Sequence, residues 1–204
     1  MTKPPSRDQG WQRWELVNGE LEFISPADPG HEEALWRLMN YLFGFCRLQP
    51  AWACLASNVV FTMASGNWRM PDTSLVRTES CPRGMRHAVV PPRELDTWST
   101  RCEWTDAGIA CVVVPPRDLN TAKIDYPPDV AFEIRSRSDR SSQVQGKRMD
   151  YQESGVIQVW IDLENRLTEV IYPNHPPQYF SEDQALVIDQ PVGLSLDLRS
   201  LYLT

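Results

Sequence analysis

Residues 128–151 constrain the fold more than any other stretch, because a clear strand pattern is followed there by a helix pattern. In the strand, Val130, Phe132 and Ile134 point to one face. The opposite face carries Asp129, Ala131, Glu133, Arg135 and Arg137. A carboxylate and a guanidinium two positions apart lie side by side, an arrangement that can hold a cation and a phosphate together. The alternative is an antiparallel strand with an ordinary solvated face.

The helix that follows places a lysine on its inner side. Four residues before or at its start are N-cap candidates, namely Ser138, Asp139, Ser141 and Ser142. Gly155 stands where a helix commonly ends. Val144, Lys147 and Tyr151 are spaced i, i+3, i+7 and predict a stripe that packs inward. Lys147 is therefore either a snorkelling stem or a buried functional ammonium.

Length and hydropathy predict a single domain over residues 1–204. The chain has 204 residues, of which 42% are hydrophobic and 23% charged, enough for one well-buried core. No apolar run approaches the ~20 residues of a membrane span, and the N-terminal residues contain no apolar signal core. We expect a soluble, cytoplasmic protein.

The five cysteines are irregularly spaced, so neither a disulfide framework nor paired zinc-ligand motifs are indicated. Reduced thiols are the expectation. The alternative, a zinc site, would have to gather Cys81, His87, Cys102 and Cys111 without any short paired spacing.

A net charge of −7 and a pI near 5.0 argue against a protein that holds nucleic acid by bulk electrostatics. A local positive patch could still form within an acidic whole. Its members would be Arg135, Arg137, Arg140, Lys147 and Arg148. The alternative for this cluster is a solvated helix face.

The rest of the chain predicts a mixed sheet with helices packed against it, an α/β (α+β) fold. Asn18-Gly19 between two apolar runs predicts an N-terminal β-hairpin with a type I′ turn. A helix is expected from His31 with Asp28 as its N-cap, and strands over 51–55, 57–62, 68–76, 109–114, 156–163 and 167–172. We expect a hairpin within 178–188 and an amphipathic turn over 194–202. Residues 78–125 are interpreted as an insertion with a short helix within 93–104.

Two further side chains are candidates for a site. Asp72 lies beside a proline in a weakly polar strand, and it is either a functional carboxylate or a turn aspartate. His31 lies at the start of the first helix, at its inner edge or as a capping residue.

The order of these motifs closely resembles the Uma-type restriction endonuclease family, a branch of the PD-(D/E)xK nuclease superfamily. The resemblance rests on WELVNGELEFISPADPGH, then RMPDTSLV, then PPDVAFEIRSRSDR with GKRMDYQESGVIQVWIDLENRLTEVIY. It covers roughly residues 11–64, 68–76 and 126–201. It implies a restriction endonuclease-like fold and a Mg²⁺-dependent DNA endonuclease, in which Mn²⁺ can replace Mg²⁺. The implied partner is DNA, and the resemblance is compatible with a homodimer.

The resemblance also implies roles for individual residues. Asp72 and Glu133 match the acidic metal ligands, with the main-chain carbonyl of Ile134 as a further ligand. Lys147 matches a catalytic lysine supplied from the helix, and Arg135 occupies the strand position that this lysine fills in the wider superfamily. His31 matches an additional active-site group. This assignment agrees with the chemistry, since hard cations prefer carboxylate and carbonyl oxygens and polarise phosphate.

The sequence departs from the family pattern in two places. Ser136-Arg137-Ser138 replaces the family's usual Ser-Pro-Ser. The number of residues between Asp72 and Asp129 is larger than is typical of the family. Three hypotheses therefore stay open: an active metal-dependent endonuclease, a catalytically weak or inactive relative that binds nucleic acid or a protein partner, and an unrelated mixed α/β module without a site.

Overall fold

A computed structural model describes residues 13–24, 28–57, 59–81, 99–105, 108–114, 123–136, 139–189 and 191–202. Its strands are β1 (Arg13–Val17), β2 (Glu20–Ile24), β3 (Trp52–Leu55), β4 (Val60–Thr62), β5 (Trp68–Arg69), β6 (Thr73–Arg77), β7 (Ser99–Thr105), β8 (Gly108–Val114), β9 (Lys123–Ile124), β10 (Val130–Arg135), β11 (Ile157–Asp162), β12 (Leu167–Ile171), β13 (Gln178–Ser181), β14 (Ala185–Ile188) and β15 (Leu194–Asp197). The helices are α1 (Pro29–Leu48), α2 (Ser141–Glu153) and α3 (Arg199–Tyr202).

A six-stranded mixed sheet forms the centre, in the order β13-β12-β11-β10-β6-β3. β10 and β11 are parallel and α2 connects them, while the other neighbouring pairs are antiparallel. A second sheet has the order β2-β1-β5-β4-β9. The predicted mixed sheet with flanking helices and an N-terminal hairpin is confirmed.

The alternation in β10 divides the interior into two cores. Val130, Phe132 and Ile134 pack with the apolar side of α1, with β14 and β15, and with α3. Ala131 lies on the other face, where Tyr151 of α2 and Phe61 of the second sheet are buried. The face that carries Glu133 is therefore covered by α2 and the second sheet, and a polar group there is withdrawn from water.

Local signals set the ends of several elements. Asn18 and Gly19 both have positive φ, 52° and 82°, so the predicted type I′ turn is confirmed. The Asp28 side chain accepts a hydrogen bond from the His31 amide and caps α1 as predicted. Gly155 has φ 72° after α2, also as predicted.

The predicted cap of α2 differs from the structure. Arg140 is the N-cap residue and makes no side-chain capping bond. The Asp139 carboxylate instead accepts a hydrogen bond from the Ser136 amide and stabilises the turn before the helix.

Three predicted elements are wrong in their extent. Residues 68–76 form two strands, β5 and β6, in different sheets, because Pro71 between them has no N–H for a ladder. Residues 178–188 form no hairpin, since β13 pairs with β12 and β14 pairs with β15. The helix expected within 93–104 is a strand over Ser99–Thr105, paired with β8, and residues 93–98 lie outside the described part.

Part of the predicted insertion belongs to the sheets. β9 pairs in parallel with β4 at the edge of the second sheet. The division into one domain with an insertion over 78–125 stays a prediction. Within the described residues, no helix is both long and apolar enough to cross a membrane.

Candidate active site

Asp72 lies just before β6, and Glu133 lies on the neighbouring strand β10. β6 and β10 pair with Thr73 opposite Phe132, and Asp72 and Glu133 are the next residues beyond this pair. The Oδ2 atom of Asp72 accepts a hydrogen bond from the Ile134 amide at 2.9 Å. Both carboxylates are buried, and after burial itself the charge of Asp72 is among the causes that raise the pKa of Glu133.

Lys147 points from α2 onto this face. Its Nζ donates to both carboxylate oxygens of Glu133, each at 3.1 Å, and its side chain is only 16% exposed. The hydroxyl of Tyr151, one turn later, donates to Oε1 of Glu133 at 2.6 Å. The inward direction predicted from the helical spacing is confirmed, and the ammonium lies against a carboxylate, not at the surface.

A third carboxylate comes from the N-terminal hairpin. Oε1 of Glu15 lies 3.2 Å from Nζ of Lys147 and also accepts a hydrogen bond from the Met70 amide. Oε2 of Glu15 accepts from Nη1 of Arg69 at 2.9 Å. Lys147 therefore bridges a carboxylate on the central sheet and one on the second sheet.

Arg69 extends this network to α2. It is 2% exposed, and its Nε donates to Oδ2 of Asp150 at 2.6 Å. Ser65 and Asn67, from the turn before β5, also donate to Asp150. A continuous set of alternating charges thus runs from Glu133 through Lys147, Glu15 and Arg69 to Asp150.

Burial and neighbouring charges shift the titration of this set. Burial raises the pKa of Glu133 to about 7, and the ammonium of Lys147 opposes that rise. Burial alone would lower the pKa of Lys147, but the charges of Glu133, Glu15 and Asp72 outweigh it and raise the pKa above its ordinary value. Burial also raises the pKa of Tyr151 well above its usual range. Lys147 is thus a cation and Tyr151 a neutral hydrogen-bond donor at neutral pH.

His31 contacts the site from the first turn of α1. Its Nε2 lies 3.0 Å from Oδ2 of Asp72, and both side chains are buried. His31 lies at the start of α1, as predicted, and its ring is on the buried side of that helix.

Arg135 lies apart from this group. It shares the face of Glu133 but is two residues further along β10, where its Nη1 lies 3.3 Å from Oδ2 of Asp162. Its side chain is 42% exposed. The neighbouring Arg148 pairs with Glu169 and lies over the Trp160 ring. These two basic residues have separate acidic partners, and Arg137 lies outside the described residues.

Two carboxylates and the strand backbone form the donor set that a hard cation could use. Mg²⁺ is typically held by one or two carboxylates, with water and substrate oxygens completing its shell. Asp72 and Glu133 fit this requirement, with the Ile134 carbonyl as the third candidate. Within the described residues, no three His, Cys, Asp or Glu side chains are grouped as ligands of one ion. The zinc alternative stays a prediction, since His87, one of its four residues, lies outside the described residues.

Sequence reasoning missed Glu15, Arg69 and Asp150. Glu15 lies between Trp14 and Leu16 in a short strand, where a glutamate commonly faces solvent. Its burial depends on partners that are distant in sequence. The helical spacing predicts Tyr151 on the inward stripe. Because Tyr151 follows Lys147 at i+4, the two side chains lie on the same side of the helix, and this spacing is the signal that could have assigned Tyr151 to the site.

The family model Uma2, described as "Putative restriction endonuclease", matches residues 93–199. This range includes Glu133 and Lys147, while Glu15, His31 and Asp72 precede it. No match is found among curated proteins.

A solved structure has a similar fold. It is described as a putative nuclease belonging to DUF820 from Anabaena variabilis ATCC 29413. The similarity has a TM-score of 0.67 at 16% sequence identity and covers 93% of this chain and 89% of that one.

Proposed function

The chain belongs to the Uma2 family of restriction endonucleases, and from this membership we propose that it is a DNA endonuclease that uses Mg²⁺ to hydrolyse phosphodiester bonds. One observation carries the proposal: the buried carboxylate of Glu133 contacts the Lys147 ammonium, and the buried carboxylate of Asp72 accepts a hydrogen bond from the amide of Ile134, the residue after Glu133.

Asp72 and Glu133 would hold the cation, with the Ile134 carbonyl as a further ligand. When bound, a divalent cation polarises a phosphate oxygen and lowers the pKa of a water. Mn²⁺ can replace Mg²⁺ on the same oxygen ligands.

The protein side chains have separate tasks in this proposal. His31 orients Asp72, and Tyr151 orients Glu133 through its hydroxyl. Lys147 places a positive charge where negative charge develops on the phosphate. Arg135, partly exposed at the end of the same strand face, would exchange its contact with Asp162 for a flanking phosphate.

DNA has to be attracted by positive charge close to the site, not by the charge of the whole protein. The whole chain is acidic, with a net charge of −7, so bulk attraction to DNA is absent. A cation at Asp72 and Glu133 would offset the negative charge of the two carboxylates. We therefore expect DNA binding to depend on the divalent ion.

A second candidate function is a catalytically weak or inactive module that binds nucleic acid or a protein partner. It is favoured by one observation, namely that both Glu133 oxygens already accept hydrogen bonds from Lys147 and one also accepts from Tyr151. Such a carboxylate is satisfied without a metal ion.

The test combines calorimetry with cleavage assays. Mg²⁺ and Mn²⁺ are titrated into the unchanged protein, Glu133→Gln and Lys147→Met, and each protein is incubated with supercoiled DNA, linear DNA, single-stranded DNA and RNA. Glu133→Gln should lose metal binding and cleavage, because an anionic ligand is removed. Lys147→Met should bind the metal equally or slightly more tightly but cleave at least about 100-fold more slowly.

Cleavage of RNA but not DNA would contradict the substrate assignment. If the unchanged protein neither binds the ions nor cleaves any substrate, the inactive module replaces the nuclease.

A further inference from the structure

Glu15 is held in place without any help from the central sheet. It lies on β1, and its Oε2 is fixed by Arg69 of β5. Its Oε1 accepts from the Met70 amide at 3.0 Å. The same Oε1 lies 3.2 Å from Nζ of Lys147. The position of this carboxylate therefore does not depend on what Glu133 binds.

Lys147 contacts two carboxylates, of which only Glu133 would also bind the divalent cation. Glu133 is the partner that a divalent cation would take, and a doubly charged neighbour weakens its attraction for the ammonium. Glu15 is engaged by Arg69 and a backbone amide. Moving it would take from the buried Arg69 guanidinium one of its two carboxylate partners and from the Met70 amide the acceptor that Glu15 provides, which is costly.

We infer that Glu15 is a positioning residue that keeps the Lys147 ammonium in the site when Glu133 takes a divalent cation. This inference rests on the proposed function. In the ion-free protein Lys147 bonds to both carboxylates, and after ion binding it stays on Glu15. The ammonium is then neither expelled to solvent nor left buried without an anionic partner.

The inference predicts that the effect of Glu15 on ion affinity depends on Lys147. In Glu15→Gln, ion binding at Glu133 leaves the buried ammonium without a carboxylate, so Mn²⁺ affinity should fall at least about tenfold. In a Lys147→Met background no ammonium needs a partner. There, Glu15→Gln should change Mn²⁺ affinity by less than about threefold.

The experiment is a double-mutant cycle measured by Mn²⁺ calorimetry. It uses the unchanged protein, Glu15→Gln, Lys147→Met and the double variant, each checked for folding by thermal unfolding in chelator. A matched control replaces Lys147→Met by Arg148→Met, which removes a positive charge from the next residue of α2, whose partner is Glu169. That cycle should be additive. If Glu15→Gln does not fold, Glu15→Asp enters both cycles, since it keeps a buried negative charge near Arg69 while shortening the side chain that reaches Lys147.

The outcomes separate the inference from the proposed function. A large effect of Glu15→Gln when Lys147 is present, and a small one in the Lys147→Met background, supports the inference. Equal losses in both backgrounds would make Glu15 an ion ligand in its own right and overturn it, as would no loss in either. If the unchanged protein binds no Mn²⁺, the proposed function fails and the inference with it.

Discussion

The Nη2 atom of Arg69 lies 2.6 Å from Oδ2 of Asp150, in an ion pair whose side chains are 2% and 7% exposed. This pair joins the second sheet to α2. Because Arg69 also binds Glu15, one guanidinium neutralises two buried carboxylates. The pair therefore fixes α2, and Lys147 with it, against the N-terminal hairpin.

Loss of Arg69 should be strongly destabilising. Arg69→Met leaves Glu15 and Asp150 with fewer buried partners, and we expect a loss of about 3–5 kcal/mol in the free energy of unfolding. Denaturant unfolding of Arg166→Met serves as the control, because its ion pair with Glu182 is exposed and should contribute less than about 1 kcal/mol. Equal losses in both variants would mean that the buried network does not hold the sheets together.

Gly146 gives Arg69 the room it occupies. A Cβ at Gly146 would lie 3.3 Å from Nη2 of Arg69, whose position is fixed by two carboxylates. Gly146→Ala should therefore lower stability, although alanine favours a helix over glycine by about 1 kcal/mol. Gly44→Ala in α1 meets nothing within 4 Å and should raise stability by about 0.5–1 kcal/mol. Thermal unfolding compares the two, and a gain at Gly146 as large as that at Gly44 would contradict the tight fit.

Arg135 and Lys147 should differ in their effect on cleavage. Arg135 pairs with Asp162 at the surface end of the strand, whereas Lys147 contacts Glu133 directly. Arg135→Ala should reduce the cleavage rate by less than about tenfold, and Lys147→Met by at least about 100-fold. Single-turnover rates at saturating Mg²⁺ measure both. The reverse order would show that the arginine on the strand has the catalytic role and that Lys147 only stabilises the fold.

The stability of the ion-free protein should fall as pH rises from about 4.5 to about 7. The pKa of Glu133 is raised from 4.5 to about 7 by burial, so the folded state retains a proton that the unfolded chain releases. The contribution is full below about 4.5 and is lost as pH rises through about 7, and it amounts to as much as roughly 3 kcal/mol. Urea unfolding of the unchanged protein and Glu133→Gln across this range isolates the effect. Parallel pH profiles would contradict the raised pKa.

Local sequence patterns predicted helices and strands, whereas contacts between residues distant in sequence determined which sheet a strand joins and which side chains form the site. The alternation from Val130 to Ile134 and the spacing of Lys147 and Tyr151 depend only on nearby residues, and the structure agrees with both. The strand over residues 68–76 was wrong because its division at Pro71 depends on which sheet each half joins. Glu15 could not be assigned to the site for the same kind of reason, since Arg69 and Met70 lie 54 and 55 positions away and Lys147 further still.

The distribution of the site along the chain has a consequence for protein synthesis. Glu15 and Asp72 belong to the early part of the chain, while Glu133 and Lys147 come from β10 and α2. A ribosome-bound chain that ends before β10 has Asp72 but neither Glu133 nor Lys147. Under the proposed function, a nascent or prematurely terminated fragment of that length does not cut DNA. Cleavage activity arises only once α2 has been synthesised.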